Sequence, residues 1–307
     1  MDAPHESKPA RALDPRLYQI ASLSGLLIYG ILALHFDLTL GRIALLLATA
    51  LLTQWLCGRL WKLPAYDPKS ALISGLSLCL LLRTNELAVA VAAAVAAIAS
   101  KFVLRWRSKH LFNPTNIALV LVLLWTRDAW VSPGQWGNVA FFGFLMACVG
   151  GLVVNRSSRS DVTFAFIGSY LAIVFLRAAW LGQPWANPLH GLRNGAFLLF
   201  SFFMISDPRT TPDSRAGRIL FAFLVAAGAA FVQFVMFRTN GLLWSLALFS
   251  MAVPLIDRIL TGSRFVWRPV APLPRLFWKG RIHETPLDRP ALALEPVARR
   301  AVARGGP

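Results

Sequence analysis

The sequence contains little charge and very few acidic residues. Only 15% of its 307 residues are charged, whereas soluble domains carry about 25%. Fourteen Asp and Glu face 31 Lys and Arg, so the formal net charge is +17. So few charged groups leave too little polar surface for an ordinary soluble protein of this length. The basic residues lie in short gaps between apolar runs, and this distribution argues against a nucleic-acid partner.

Other common signatures of chemistry are also absent from the sequence. Its three cysteines, Cys57, Cys79 and Cys148, lie in apolar runs without CxxC spacing, as buried small hydrophobic residues do. No two histidines have haem or metal spacing, and there is no Walker loop, dinucleotide fingerprint or nucleophile elbow. The first 16 residues are polar and contain acids and prolines, unlike a secretory signal. We therefore predict no metal site and no independent set of catalytic residues.

Long apolar segments fill most of the chain. A helix needs about 20 apolar residues to cross a bilayer, and fewer where it ends inside the protein. We predict an all-α membrane protein with about ten transmembrane helices in residues 17–260, after a segment 1–16 and before a basic, disordered tail 261–307. The predicted spans are Leu17–Phe36, Ile43–Trp61, Ser70–Leu82, Leu87–Leu104, Asn116–Trp125, Gly137–Val154, Val162–Leu181, Leu192–Ser206, Gly217–Met236 and Leu242–Leu260.

The positions of lysine and arginine predict the orientation. With a cytoplasmic N-terminus, the inner segments before the tail hold 15 basic residues and the outer segments hold six. Positive charge collects on the cytoplasmic side of bacterial membranes. We therefore predict a multi-pass protein of the bacterial inner membrane, surrounded by the lipid bilayer, with both termini in the cytoplasm.

Ten helices also suggest an inverted repeat of five and five helices, with halves of about 17–125 and 137–260. Two short spans occupy the third place of each half, within residues 67–85 and 187–212. Each begins after a proline-containing loop and ends in a polar cluster with Arg and Thr. Short helices at equivalent positions indicate a site near the middle of the membrane.

The first polar cluster is HLFNPTN, residues 110–116. Pro114 suits a first helical turn, and Asn113 suits the capping position before it. Asn113, Thr115 and Asn116 can all donate and accept hydrogen bonds. The cluster is therefore either a helix cap at the membrane surface or part of a binding site.

The second cluster is SDPRTTPDSRAGR, residues 206–218, which follows the aromatic run FLLFSFFMI. Pro208 and Pro212 end the helix, and Asp207 and Arg209 are close enough to pair. An acid at the end of a short membrane helix is costly unless it is paired or lines a cavity. A capped loop and a functional site are both open. Two further clusters, RTNE (83–86) and VPLIDR (253–258), fit a vestibule or turn and an interfacial ion pair, respectively.

These clusters, in this order, resemble the RnfD/NqrB family of membrane subunits of ion-pumping electron-transport complexes. HLFNPTN resembles the family's FNPA segment, FFMISDPRTTP resembles its FMATDPV segment, and VPLIDR resembles its PLID segment. The resemblance spans roughly residues 15–268 and implies electron transfer coupled to movement of sodium ions or protons, with other electron-transport subunits as partners.

The resemblance also implies a flavin. Family members attach flavin mononucleotide to a threonine of a Ser-Gly-Ala-Thr segment after the fifth helix, but the corresponding loop here, TRDAWVSPGQWG (126–137), lacks that motif. We therefore expect flavin mononucleotide or riboflavin to bind non-covalently. The candidate residues are Asn113, Thr115, Asn116, Phe203, Asp207, Arg209 and Thr210, with Phe200 and Phe202 as further aromatic walls.

Two other functions remain open. An inverted repeat with paired short helices is equally typical of a transporter or channel for a small solute or ion. A non-catalytic membrane scaffold, with a basic inner surface that docks an acidic partner or lipid, is the third.

Overall fold

A computed structural model describes residues 14–107, 109–131, 160–192 and 195–263. In these ranges the chain is mostly helical, with four short strands. The first half contains α1 (Pro15–Leu32), α2 (Leu40–Leu60), α3 (Lys69–Leu81), β1 (Leu82–Thr84), α4 (Leu87–Val103), β2 (Arg105–Trp106), β3 (Lys109–His110), α5 (Pro114–Trp125) and β4 (Ala129–Val131). The second half contains α6 (Ser160–Trp180), α7 (Ala186–Leu192), α8 (Gly195–Met204), α9 (Arg215–Phe234), α10 (Gly241–Ser250) and α11 (Val253–Ile259).

The helices follow the apolar segments predicted from the sequence, with two differences in the second half. The predicted eighth span, 192–206, is helical in α8, but its last five residues, Phe200–Met204, form a π-helix. The predicted tenth span, 242–260, is divided into α10 and α11, which are bent by 50°. Pro254 lies in the first turn of α11, where it lacks an N–H group to continue the preceding helix. The predicted sixth span, 137–154, and the tail from 264 onward lie outside the described residues.

Three helices are long and apolar enough to cross a membrane: α2, α6 and α9. The bent pair of α10 and α11 makes a fourth if it is counted as one span. The apolar helices α3, α4, α5 and α8 are shorter, with 10 to 17 residues. The third, fifth and eighth predicted spans are therefore short, as the sequence indicates, and the total of ten spans stays a prediction.

Polar residues before the helices determine where several of them begin. The side chain of Asp14 accepts a hydrogen bond from the backbone N–H of Arg16, and Ser214 accepts one from Gly217, each at 3.0 Å. Thr39 caps α2 in the same way. Such caps satisfy N–H groups that have no partner inside the helix.

Small side chains allow the helices to pack closely. α4 presents Ala90, Ala93, Ala94 and Ala97, all fully buried, and packs against α2 and α5. In the second half, α9 packs against α6 and α10 with a similar row of alanines and Gly228, where a Cβ atom would lie within 2.6 Å of Ser245 and Phe249 atoms. Small residues at helix contacts are typical of membrane proteins. α5 and α10 also contact each other and connect the two halves.

Two antiparallel strand pairs close the ends of helices. β1 pairs with β4, so the segment after α3 lies beside the segment after α5. β2 pairs with β3 in a hairpin between α4 and α5, in which Arg107 has a φ of +46°. This hairpin brings His110 opposite Arg105, at one rim of the cavity described below.

Candidate functional site

A cavity of about 360 Å³ lies between the two halves of the chain. Its walls come from α1, α2, α3, the end of α4, the start of α5, and the end of α8 with the turn that follows. Five of the seven candidate residues line it: Asn113, Thr115, Phe203, Asp207 and Arg209. The cavity thus brings together two clusters that are about 90 residues apart in the sequence.

Asn113 has two roles at once. Its side-chain oxygen accepts a hydrogen bond from the N–H of Asn116 at 3.0 Å and caps α5, with Pro114 in the first turn, as predicted. Its side-chain nitrogen donates to the carbonyl of Met204 at 3.2 Å. The helix cap and the cavity wall are therefore the same residue, and this residue also ties α5 to the end of α8.

The structure places two of the candidate residues away from the cavity surface. Asn116 is fully buried, and its side-chain nitrogen donates to the carbonyl of Leu243 in α10 at 3.1 Å. Thr210 is buried behind the turn, where its hydroxyl donates to the carbonyl of Asp207 at 3.2 Å. Asn116 therefore joins the halves, and Thr210 shapes the turn.

The turn after α8 presents Asp207 and Arg209 to the cavity. The backbone N–H of Arg209 donates to the Asp207 carboxylate at 3.0 Å, and the N–H groups of Thr210 and Thr211 donate to the Asp207 carbonyl at 3.1 and 3.2 Å. Pro208 fixes the backbone between them. This compact turn, rather than a free loop, holds the two charged side chains in place.

The π-helix determines which aromatic residue reaches the cavity. Phe203 lines it, whereas Phe200 packs against Phe166, with ring centroids 5.2 Å apart. Phe202 is buried and is not among the residues that line the cavity. Phe102, from the end of α4, provides a second aromatic side chain. Single π-helical turns are frequent at functional sites.

Several cavity residues were not among the sequence-predicted candidates. Lys101 and Arg105 come from the end of α4, Gln54 from α2, and Ser70, Ser74 and Ser77 from one face of α3. The serines recur every three to four residues in an otherwise apolar helix, which is a signal that the sequence does contain. For Lys101 and Arg105, no sequence pattern separates a cavity residue from an ordinary cytoplasmic charge.

His110 stays neutral at physiological pH. Burial, together with the positive charges of Arg209, Lys101 and Arg105, lowers its pKa to about 3. Its Nε2 atom lies 3.4 Å from a guanidinium nitrogen of Arg209, which can only donate. Nε2 therefore accepts, and the imidazole carries its proton on Nδ1.

The rim at α1 is formed by an ion-pair cluster. Arg16 bonds Asp14 at 2.7 Å and Asp67 at 2.6 Å, and Lys69 lies within 3.4 Å of Asp67. Burial raises the pKa of Asp67, but the hydrogen bonds from Arg16 and Lys69 outweigh this effect and leave the pKa below its usual value. The cluster links the start of α1 to the start of α3.

The VPLIDR cluster lies outside the main cavity, and its acid has a different partner from the one expected. Asp257 pairs with Lys109 at 2.8 Å, and Lys109 also pairs with Asp213 at 2.9 Å. Arg258 instead lies over the Trp106 ring, 5.2 Å from its centroid. These residues line a second cavity of about 220 Å³.

The RTNE cluster contains a buried arginine. Arg83 donates to the carbonyls of Cys79 and Leu82 at 2.9 and 2.8 Å and lies over the Phe36 ring. Its segment forms β1 and pairs with β4. The cluster therefore closes the end of α3, which agrees with a turn.

Comparison with known proteins gives relatives of one kind. Residues 124–265 match the NQR2, RnfD, RnfE family. Three curated relatives are each named as the RnfD-type subunit of an ion-translocating oxidoreductase complex. The protein of Alcanivorax borkumensis is 31% identical over 127 residues, that of Erwinia tasmaniensis 34% over 125 residues, and that of Vibrio vulnificus 28% over 125 residues.

The match covers one part of each protein. In each case it covers 40% of this chain, and the chain spans about a third of the length of the relatives, 34% to 35%. The matched residues include the FFMISDPRTTP and VPLIDR segments, whereas HLFNPTN precedes them. The predicted resemblance is thereby confirmed: over residues 124–265, this chain is a relative of the NQR2, RnfD, RnfE family.

Proposed function

We propose that this protein is an RnfD-like integral membrane subunit of an electron-transport system, and that it holds a flavin non-covalently in the 360 Å³ cavity. One observation carries the proposal. The cavity joins Asn113 and Thr115 of one polar cluster to Phe203, Asp207 and Arg209 of another, and the second cluster lies in the segment that matches the family.

The residues present fit a flavin. Its ring system needs flat apolar contacts on its faces and hydrogen-bonding groups at its polar edge. Phe102 and Phe203 provide the first, and Asn113, Thr115 and Gln54 provide the second. Gln54 is only 8% exposed, and its side-chain oxygen has no hydrogen-bond partner among the described residues. A buried polar atom of this kind is expected to meet a bound molecule, and the volume lies in the usual range of ligand sites.

The chain contributes binding, orientation and electrostatics, while a bound flavin supplies the electron-transfer chemistry. Lys101 and Arg209 place positive charge at the cavity, which favours a cofactor that has gained negative charge. His110 stays uncharged and accepts a hydrogen bond from Arg209, which orients that guanidinium. Asn113 is held at both ends by backbone groups, so its amide has a fixed direction.

Non-covalent binding is supported by the segment after α5. The loop that resembles the covalent attachment region contains a single threonine, Thr126, and no Ser-Gly-Ala-Thr sequence. The Thr126 hydroxyl donates to the Asp128 carboxylate at 2.9 Å. Thr126 therefore has a structural role at the end of α5.

Ten membrane spans in an inverted repeat of five and five belong to this proposal. Helix packing supports the repeat. In the first half, α4 packs extensively against α2 and α5, and in the second half α9 packs in the same way against α6 and α10. These are the second, fourth and fifth helices of the first half and the corresponding predicted helices of the second. α5 and α10 contact each other, as the last helices of two halves related by a two-fold axis would.

Location and partners follow from the same assignment. We propose the bacterial inner membrane, with both termini in the cytoplasm because basic residues predominate in the inner segments. The curated relatives are named as subunits of an ion-translocating oxidoreductase complex, so other electron-transport subunits are the proposed partners, and ion movement is the proposed coupled process.

The test is the flavin content of the full chain purified in detergent, together with a pair of phenylalanine variants. Flavin should be present and should be released by acid or heat denaturation. Phe203→Leu should weaken flavin binding about tenfold, because a buried aromatic contact contributes about 1–1.5 kcal/mol. Phe200→Leu should reduce stability and leave the affinity unchanged, because Phe200 packs against Phe166. No bound flavin, and no binding of added flavin, would rule out the redox assignment.

Transport of a small solute or ion is the second candidate, because the same helix packing is typical of transporters. Flux into liposomes that is abolished by Asp207→Ala, in protein without flavin, would favour transport. Flux that this variant leaves unchanged would exclude the cavity as the pathway.

A further inference from the structure

Three cations form one wall of the 360 Å³ cavity. Lys101, Arg105 and Arg209 all line it, and we call them the basic wall. Lys101 is 3% exposed, and its ammonium donates to the backbone and side-chain oxygens of Ser70 at 2.8 and 3.0 Å. Arg105 donates to the carbonyl of Lys101, and Arg209 donates to His110. All three cations are thus positioned by neutral groups.

The basic wall differs from other cations of the chain in its counterions. Arg16, Lys109 and Arg218 each form a salt bridge with one or two aspartates. No salt bridge within the described residues includes Lys101, Arg105 or Arg209, although Asp207 interacts with Lys101 over a longer distance. Burial and the neighbouring Arg209 also lower the pKa of Arg105, which shows that the two positive charges oppose each other.

The remaining charged groups at the cavity do not neutralise this wall. Asp67 also lines the cavity, but it is paired with Arg16. His110 is neutral, so it adds no charge. Three cations therefore face one carboxylate, Asp207, and like charges gathered at a cavity are stabilised by an anion bound between them.

We propose that the basic wall binds the phosphate group of a phosphorylated flavin, so that the site selects flavin mononucleotide over riboflavin. This inference rests on the proposed function. Two arginines can donate in pairs to phosphate oxygens, and a lysine adds a compact positive charge, which is the usual composition of a phosphate site. The unpartnered side-chain oxygen of Gln54 in the same cavity is a separate indication of a ligand.

The experiment compares the two flavins on the full chain, purified in detergent and freed of bound flavin. Quenching of flavin fluorescence gives the two dissociation constants. The wild type should bind flavin mononucleotide at least about tenfold more tightly than riboflavin. The double variant Arg105→Gln/Arg209→Gln should lose this preference and keep its riboflavin affinity within about twofold. Arg107→Gln, a nearby exposed arginine outside this cavity, is the matched control and should behave like the wild type.

Equal affinity of the wild type for both flavins would overturn the inference while leaving the proposed function intact. So would equal weakening of both flavins in the double variant. If neither flavin binds, the proposed function fails, and thermal stability then tests the basic wall separately. Stabilisation by inorganic phosphate over chloride at equal ionic strength, lost in the double variant, would retain a phosphate site. Stabilisation only by phosphatidylglycerol nanodiscs would assign the wall to a lipid headgroup and overturn the flavin assignment.

Discussion

The two halves of the chain differ in their relation to known proteins and in what they contribute to the cavity. The match to the family begins at residue 124, so it supplies Phe203, Asp207 and Arg209. The residues before it supply Arg16, Gln54, Lys101, Arg105, His110 and Asn113. Most of the polar and basic surface therefore comes from the half that precedes the match. We infer that the matched half indicates the class of protein, and that ligand selection depends on the first half.

The halves are joined at the cavity end by contacts of very different strength. Lys109 of the first half binds two carboxylates of the second, whereas Asn113 and Asn116 each donate one hydrogen bond across the boundary. Breaking these contacts one at a time measures how strongly each holds the halves together.

The largest effect is expected for Lys109→Met. This change leaves Asp213 and Asp257, both largely buried, without their shared cation. Removing one partner from a buried ion pair costs about 3 kcal/mol, because the remaining charge is uncompensated. Denaturant unfolding in detergent should show this loss in the free energy of unfolding.

Lys62→Met is the control for the lysine variant. Lys62 is exposed on the loop after α2, and an exposed substitution should change stability by less than about 0.5 kcal/mol. Equal effects of the two variants would show that the Lys109 network does not hold the halves together.

The next effect is a pH dependence from His110. The unfolded chain binds a proton on this histidine near pH 6.5, whereas burial and nearby cations lower its pKa and keep it neutral in the native state until about pH 3. Between these values the unfolded state binds more protons, so stability falls as pH falls, by about 1.4 kcal/mol per pH unit. From pH 7 to pH 5, this group should cost about 2 kcal/mol.

His110→Gln should remove that part of the pH dependence, as measured by denaturant unfolding at several pH values. The control is His35→Asn, since His35 is exposed in the first half and has a φ of +50° that Asn also tolerates. A wild-type slope that persists in His110→Gln would show that this histidine is not the group that titrates.

The smallest effects separate the cavity from the boundary between the halves. Asn113→Ala removes the cap of α5 and the bond to Met204, which should cost about 2 kcal/mol, and it should weaken flavin binding about tenfold. Asn116→Ala removes only the bond to Leu243 and should cost about 1 kcal/mol without a change in flavin affinity. Flavin loss in both variants alike would mean that the cavity does not distinguish these asparagines.

Much of the fold could be predicted from the sequence because it depends on local patterns. Apolar runs indicated helices, and the Asn-Pro pair indicated the start of α5, where Asn113 does cap the helix. The partners of charged residues could not be predicted in this way. Asp257 has Arg258 as its neighbour in sequence, but it pairs with Lys109, which is 148 residues away.

The candidate site shows the same division between local and long-range information. The two polar clusters stood out from an apolar background, and five of their residues line one cavity. Asn116 and Thr210 could not be distinguished from these five, because the direction of each side chain depends on the helix packing and on the turn. The π-helix at Phe200–Met204 has no local sequence signal, yet it determines that Phe203 rather than Phe200 reaches the cavity.

The sequence by itself determined that this chain forms apolar helices, where several of them begin, and which polar segments interrupt them, because each of these depends on residues a few positions apart. The tertiary structure alone decided that Lys101, Arg105 and Arg209 face one cavity, and that Lys109 joins the halves. Such groups meet only when distant helices pack, and the energy of a charge depends on the neighbours that packing gives it.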